Sequence, residues 1–199
     1  MPLVKHSPAP PPAPADPSVR LTDAEASVRR QSARLLAARL PETATILCAH
    51  LVGETSLSVR SIIFTELMAH PSTGVVEGLL PFLRSEDANL RNGAIEALQE
   101  MPGQVAPYVE RLLADPDSDV RIFATVLLSM LPHPSAPSWL RQVVAEDPHV
   151  NVCAEAVNGL IEVGTAADIP LLRQMAVRFA TVPFIQFAVD AAVRRLDAC

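Results

Sequence analysis

The side chains in this 199-residue chain that could do chemistry are five histidines, three cysteines and a scatter of carboxylates. His6, His50, His70, His133 and His149 never fall into a His-Glu-x-x-His pair, the spacing that puts two imidazoles on one helix face around a metal. Cys48 and His50 are two residues apart, so a helix sends them to different faces and they make a poor metal pair. His70 and His133 each precede a proline at an expected helix end, where a cation suits the dipole. The chain has neither a Gly-rich phosphate loop nor a Gly-x-Ser-x-Gly elbow. The residues therefore nominate no catalytic side chain, no metal site and no cofactor, and the expectation is a non-enzymatic protein. Cys48, Cys153 and Cys199 are an odd, widely spaced set, which argues against a disulfide framework and for a reducing, cytoplasmic setting.

What the chain does repeat is structural. A small-apolar-Arg step precedes a helical pattern at Arg29, Arg60, Arg91 and Arg121, at intervals of 31, 31 and 30 residues. Steps of 32 then reach Cys153 and Ile185. With that slot as position zero, position −1 holds Val28, Val59, Leu90, Val120, Val152 and Phe184. Position +3 holds Ser32, Ile63, Ala94, Ala124, Ala156 and Ala188, and position +7 holds Leu36, Leu67, Leu98, Leu128, Leu160 and Ala192. These offsets share one stripe of a 3.6-residue helix. Upstream of most copies lies a second apolar segment with Pro41, Pro107, Pro137 or Pro170 near its start, where a missing N–H is harmless. Pro81 falls inside its segment and should distort it.

Each unit thus reads as helix A, a turn and helix B. One such hairpin cannot bury its own apolar face, and stacking neighbours makes a continuous core. The expected fold is all-α, an α-solenoid of about five to six helix pairs over residues 18–199, preceded by a Pro-rich tail over 1–17 read as disordered. Asp119 is a candidate helix N-cap, with Thr22 or Asp23, Ser58 and Asn151 in matching places. An arginine in a first helical turn opposes the macrodipole, so Arg29, Arg60, Arg91 and Arg121 need partners from a neighbouring turn. Together with Asp119 they are expected to form a ladder from repeat to repeat.

The stretches "DPDSDVRIFATVLL", "SEDANLRNGAIEAL" and "EDPHVNVCAEAVNGLIEVGTAADIPLL" resemble HEAT repeats, particularly the short bilin-lyase-like type. The resemblance covers about residues 18–199, with atypical outer copies. It implies that the B helices line a concave face. Some HEAT-fold hydroxylases hold iron through His-Glu pairs, which this chain lacks. HEAT-like DNA glycosylases stack substrate on aromatics in a basic cleft, whereas Tyr108 and Trp139 lie in helices A of an acidic region. The resemblance leaves one enzymatic alternative, a subunit of a bilin-lyase-like enzyme acting on tetrapyrrole-bearing proteins.

Charge narrows the partner. Residues 61–170 carry five Arg and fifteen Asp or Glu, a net of −10 within a chain of net −6. An acidic middle disfavours a nucleic-acid backbone, and Arg29, Arg30, Arg34 and Arg39 are confined to one end. No apolar run reaches the roughly 18 residues of a membrane span, and the N-terminus does not read as a secretory signal. On the B helices, positions +1, +2, +5 and +9 should face away from the core. The third copy places Asn92, Gly93, Glu96 and Glu100 there, the fourth Ile122, Phe123, Val126 and Met130, and the fifth Ala154, Glu155, Asn158 and Glu162. Ile62 and Phe187 extend the apolar column at +2. An apolar strip between acidic ones suits a protein partner that offers a basic, partly apolar segment. The competing reading buries the fourth B helix on both sides. The sequence leaves the oligomeric state open.

Overall fold

The computed structural model describes residues 16–198, and no strand occurs among them. The Pro-rich tail lies outside the described residues up to Ala15. The described residues fold as six helix pairs. Helices A are α1 (Pro17–Arg20), α3 (Ala44–Gly53), α5 (Thr73–Leu79), the α7–α8 segment (Pro102–Val105 and Val109–Leu113), α10 (Ala136–Glu146) and α12 (Ile169–Arg178). Helices B are α2 (Ala26–Ala37), α4 (Leu57–Ala69), α6 (Ala88–Gln99), α9 (Ser118–Ser129), α11 (Val150–Val163) and α13 (Pro183–Asp197). The B helices pack in file, α2 on α4, α4 on α6, α6 on α9, α9 on α11 and α11 on α13, while α3 packs on α5 and α10 on α12. This is the α-solenoid that the repeat predicts.

The apolar columns are its core. Val59, Leu90, Val120 and Val152 are buried, as are Ile63, Ala94, Ala124 and Ala156. Leu36, Leu67, Leu98, Leu128 and Leu160 are at most 1% exposed. Removing such a leucine to Ala costs about 2–5 kcal/mol, because neighbours on both sides lose contacts and a cavity remains. At Gly159 an added Cβ would sit 2.9 Å from a Leu140 methyl and 3.1 Å from Ser129 Cβ, so this helix surface has to be bare for α11 to approach α9 and α10. Pro81 has the predicted effect: α5 ends at Leu79 and continues as a 3₁₀ helix over Leu80–Arg84. Pro107 interrupts its segment in the same way, with a 3₁₀ turn over Ala106–Tyr108, and that segment begins earlier, at Pro102.

The caps lie nearer the N-terminus than the sequence reading placed them. Asp117, not Asp119, caps α9 and accepts from the Asp119 N–H at 2.9 Å. The corresponding N-cap positions are Glu25, Ser56, Asp87 and His149, rather than Thr22 or Asp23, Ser58 and Asn151, and of these four Asp87 alone accepts a cap bond through its side chain. All five occupy position −4. Position −6 prepares each one: side-chain oxygens of Asp23, Glu54, Ser85, Asp115 and Asp147 accept from the backbone N–H two residues on, at 2.7–3.2 Å. Such side-chain-to-backbone turns are what short polar residues favour over helix continuation. Asp119 sits in the first turn of α9, where a negative charge favours the dipole.

Candidate partner-binding face

The ladder that fixes the register of the B helices has two kinds of rung. The first lies within a repeat. Arg29, Arg91 and Arg121 donate through Nη1, and Arg60 through Nε, to the carbonyls of Asp23, Ser85, Asp115 and Glu54, at 2.6–2.8 Å. The second links repeats. Arg29 pairs with Glu54 at 2.7 Å, Arg60 with Asp87 at 2.7 Å and Arg121 with Asp147 at 2.7 Å. The arginines hold position zero because their guanidinium groups turn back to the preceding loop and across to the next one. Glu54 shows the electrostatic result. Burial pushes its carboxyl up, yet bonds from Arg29, the Ser56 N–H and His50 hold it at about 2. The Asp87 carboxyl is lowered chiefly by Arg60.

Arg91 departs from this pattern. Asp115, the acid of the next turn, is taken by Arg84. The Arg91 guanidinium instead lies 4.2 Å from the centre of the Phe123 ring, a cation–π contact. Its Nε is buried without a hydrogen-bond partner.

The last two repeats replace the arginine. Cys153 occupies position zero, and its thiol donates to the Asp147 carbonyl at 3.1 Å, the same acceptor position that the arginines use. Burial pushes this thiol up to about 11, so it stays protonated and able to donate. Arg178 reaches back from α12, donating to the Val144 carbonyl at 2.9 Å and to Cys153 Sγ at 3.0 Å. At Ile185 the neighbouring Gln186 donates to the Phe179 carbonyl at 3.3 Å.

These constraints set the outward face of helices B. On α6, Asn92, Glu96 and Glu100 are exposed. On α9, Ile122, Phe123 and Val126 are half-buried, and Met130 is 68% exposed. On α11, Asn158 and Glu162 are exposed and Glu155 is half-buried, accepting from the Asn158 amide at 3.4 Å. Gln99 ties α6 to α9 by donating to the Val126 and Leu127 carbonyls at 3.3 Å. The fourth helix is thus neither bare nor closed: Met130 is its open apolar group, and Arg91 roofs Phe123.

One concavity was not anticipated. A cleft of about 430 Å³ opens at the turn edge between the fourth and fifth repeats. Leu113 and Val143 line it, with Glu110, Glu146, Asp147 and Arg121 among its polar groups. Its walls come from α8 and α10, which sequence periodicity marks only as helices A. Among the described residues no group of three or more His, Cys, Asp or Glu could hold a metal ion, and no helix is long and apolar enough to cross a membrane.

Paired helices stacked in file, with a hydrogen-bond donor recurring near the start of helices B, define an α-solenoid protein. Residues 105–178 match the family model for HEAT repeats. Among solved structures, Cex1p is similar over 90% of this chain with a TM-score of 0.51 and 12% identity. The chain spans 40% of the length of Cex1p. An engineered protein is similar over 92% of this chain and 98% of its own, with a TM-score of 0.41 and 16% identity. At 12% identity the likeness to Cex1p is one of fold. No curated protein matches the chain in sequence.

Proposed function

We propose that the chain is a non-enzymatic protein-binding scaffold that docks a basic, partly apolar segment of a partner on the outward row of helices B. The observation that carries this reading is the row itself: exposed Met130 lies between the acidic face of α6, with Glu96 and Glu100, and that of α11, with Glu162. A rigid core sets the spacing of these groups before a partner arrives, so little ordering cost falls on the scaffold. The carboxylates steer a basic segment, and the thioether supplies an adaptable apolar contact. Buried, unpaired Cys48 and Cys153 support a reducing, cytoplasmic setting. A nucleic-acid or membrane partner finds no matching feature on this row.

A fluorescent peptide of interleaved Arg and Leu tests the proposal. Saturable, salt-sensitive binding is expected. It should weaken at least tenfold, about 1.4 kcal/mol, in Glu96→Lys/Glu155→Lys and in Met130→Asp, and should persist in the cleft variant Glu110→Lys. Equal affinity in all four proteins, or loss only in Glu110→Lys, rejects the row.

A further inference from the structure

The turn-edge cleft differs from the grooves on either side of it at one recurring position. Position −7 falls at the C-terminal end of helix A and holds Arg84, Ala114, Glu146 and Arg178 in the last four repeats. The groove between the third and fourth repeats is lined by Glu77, Asp115, Arg84 and Arg111, two acids against two guanidinium groups. Arg84 crosses it to the carboxylates of Asp115 and, at 3.6 Å, Asp117. Between the fifth and sixth repeats Arg178 crosses to the Val144 and Ala145 carbonyls, and no acid lines that groove among the described residues. The cleft between the fourth and fifth repeats has Ala114 on one lip and Glu146 on the other. Neither repeat supplies the spanning arginine there.

The cleft is left with charge that nothing within it answers. The carboxylates of Glu110, Asp115, Glu146 and Asp147 line it, against the guanidinium of Arg121. Arg121 holds Asp147 and Arg84 holds Asp115. Among the described residues no basic side chain pairs with Glu110 or Glu146. Glu146 accepts a neutral bond from the Gln142 amide at 3.2 Å. Between these acids lies an apolar floor of buried Val143 and half-buried Leu113, walled by Ala114 and Pro148.

An apolar floor with carboxylates at its rim fits a side chain that has an aliphatic stem and a cationic head. Lysine and arginine share that form. The guanidinium is more weakly hydrated and can donate to two carboxylates at once. It is also the group that the chain itself sets at position −7 on both sides of the cleft. We infer that this cleft is a binding site for an arginine side chain of a partner protein, whose guanidinium stands where Arg84 and Arg178 stand in the neighbouring grooves. The walls are helices A and their turns, so the inference does not rest on the docking row of helices B.

Amide chemical shifts of the isotopically labelled full chain, titrated with N-acetyl-arginine amide, test this. Saturable shifts are expected at Leu113, Ala114 and Glu146, with a Kd of about 1 mM, the scale open to so small a ligand. Capped citrulline keeps the shape and drops the charge, and should bind about tenfold more weakly, capped lysine about threefold. Glu110→Gln/Glu146→Gln should weaken arginine about fivefold. Ala114→Arg should abolish saturable binding without lowering the melting temperature, because the chain then supplies the guanidinium. Met130→Asp, on the docking row, should bind the probe as the unaltered chain does. Cleft shifts that do not saturate overturn the inference. So does citrulline or lysine binding as tightly as arginine, unchanged affinity in both cleft variants, or an equal loss in Met130→Asp. The peptide titration of the row is run at micromolar concentration, where a millimolar site stays empty, so the two proposals fail separately.

Discussion

The turn before α9 and the turn before α11 solve one problem with different atoms. Both leave a carbonyl at position −6 facing position zero. In the fourth repeat Arg121 answers with a guanidinium that also crosses to Asp147, at 2.7 Å. In the fifth, Cys153 answers with a thiol, and the guanidinium comes from Arg178, on the next helix A. What the turn requires is a hydrogen-bond donor at that place. The charge adds a second bond where an acid waits in the next turn, as Asp147 does for Arg121, and the helix that supplies it can change.

The largest effect expected from this contrast is at Arg121. Its partner Asp147 has a side chain only 7% exposed. Arg121→Leu strands that carboxylate and leaves the Asp115 carbonyl without its donor, so a loss of about 3–5 kcal/mol is expected. Cys153→Ala removes a weak donor and should cost about 1–2 kcal/mol. Urea midpoints compare the two. Equal losses would show that the ion pair adds nothing beyond the shared carbonyl bond.

A second effect separates two rungs by acid. The Glu54 carboxyl is held at about 2 against an ordinary value of 4.5. The stability it contributes is full above about pH 4.5 and disappears as pH falls through 2, on the order of 3 kcal/mol in all. Urea melts between pH 5 and 2 should show this loss, and Glu54→Gln should flatten most of it. Asp87, in the more open rung with Arg60, is also lowered but has a side chain 39% exposed. Asp87→Asn should therefore alter the acid limb far less. A larger change for Asp87→Asn would reverse the ranking of the rungs.

The core was legible because burial imposes a period. Val59, Leu90, Val120 and Val152 must recur together for the stack to close, and their spacing predicts the helix pairs. The caps were less legible because Asp115, Asp117 and Asp119 are alternative acceptors two residues apart, and only the turn geometry assigns Asp115 to one N–H and Asp117 to the next. Arg29, Arg60 and Arg121 could be read as ladder members, since an arginine in a first turn demands a partner. Arg91 makes the rung within its own repeat but not the one to the next, because Arg84 takes Asp115, a contest between side chains that local periodicity does not relate. The outward row was legible as a set of positions. The roof over Phe123 follows from that competition, and the turn-edge cleft comes from helices A, whose spacing gives no facing signal of comparable strength.

The smallest effect tests whether Arg178 has taken over the missing arginine or only lies nearby. Arg178→Met keeps the aliphatic stem and removes the donors to the Val144 and Ala145 carbonyls and to Cys153 Sγ. The guanidinium is partly open to water, so a cost of about 1 kcal/mol is expected. The cost alone is ambiguous, since any surface arginine packed on a helix end could give it. Coupling is the discriminating quantity. Cys153→Ala removes the sulfur that accepts from Arg178, so if the two side chains share one role, the double variant should lose less than the sum of the singles, by about 0.5 kcal/mol or more. Strict additivity would mean that thiol and guanidinium act separately, and that the fifth repeat has dispensed with the ladder's arginine instead of moving it.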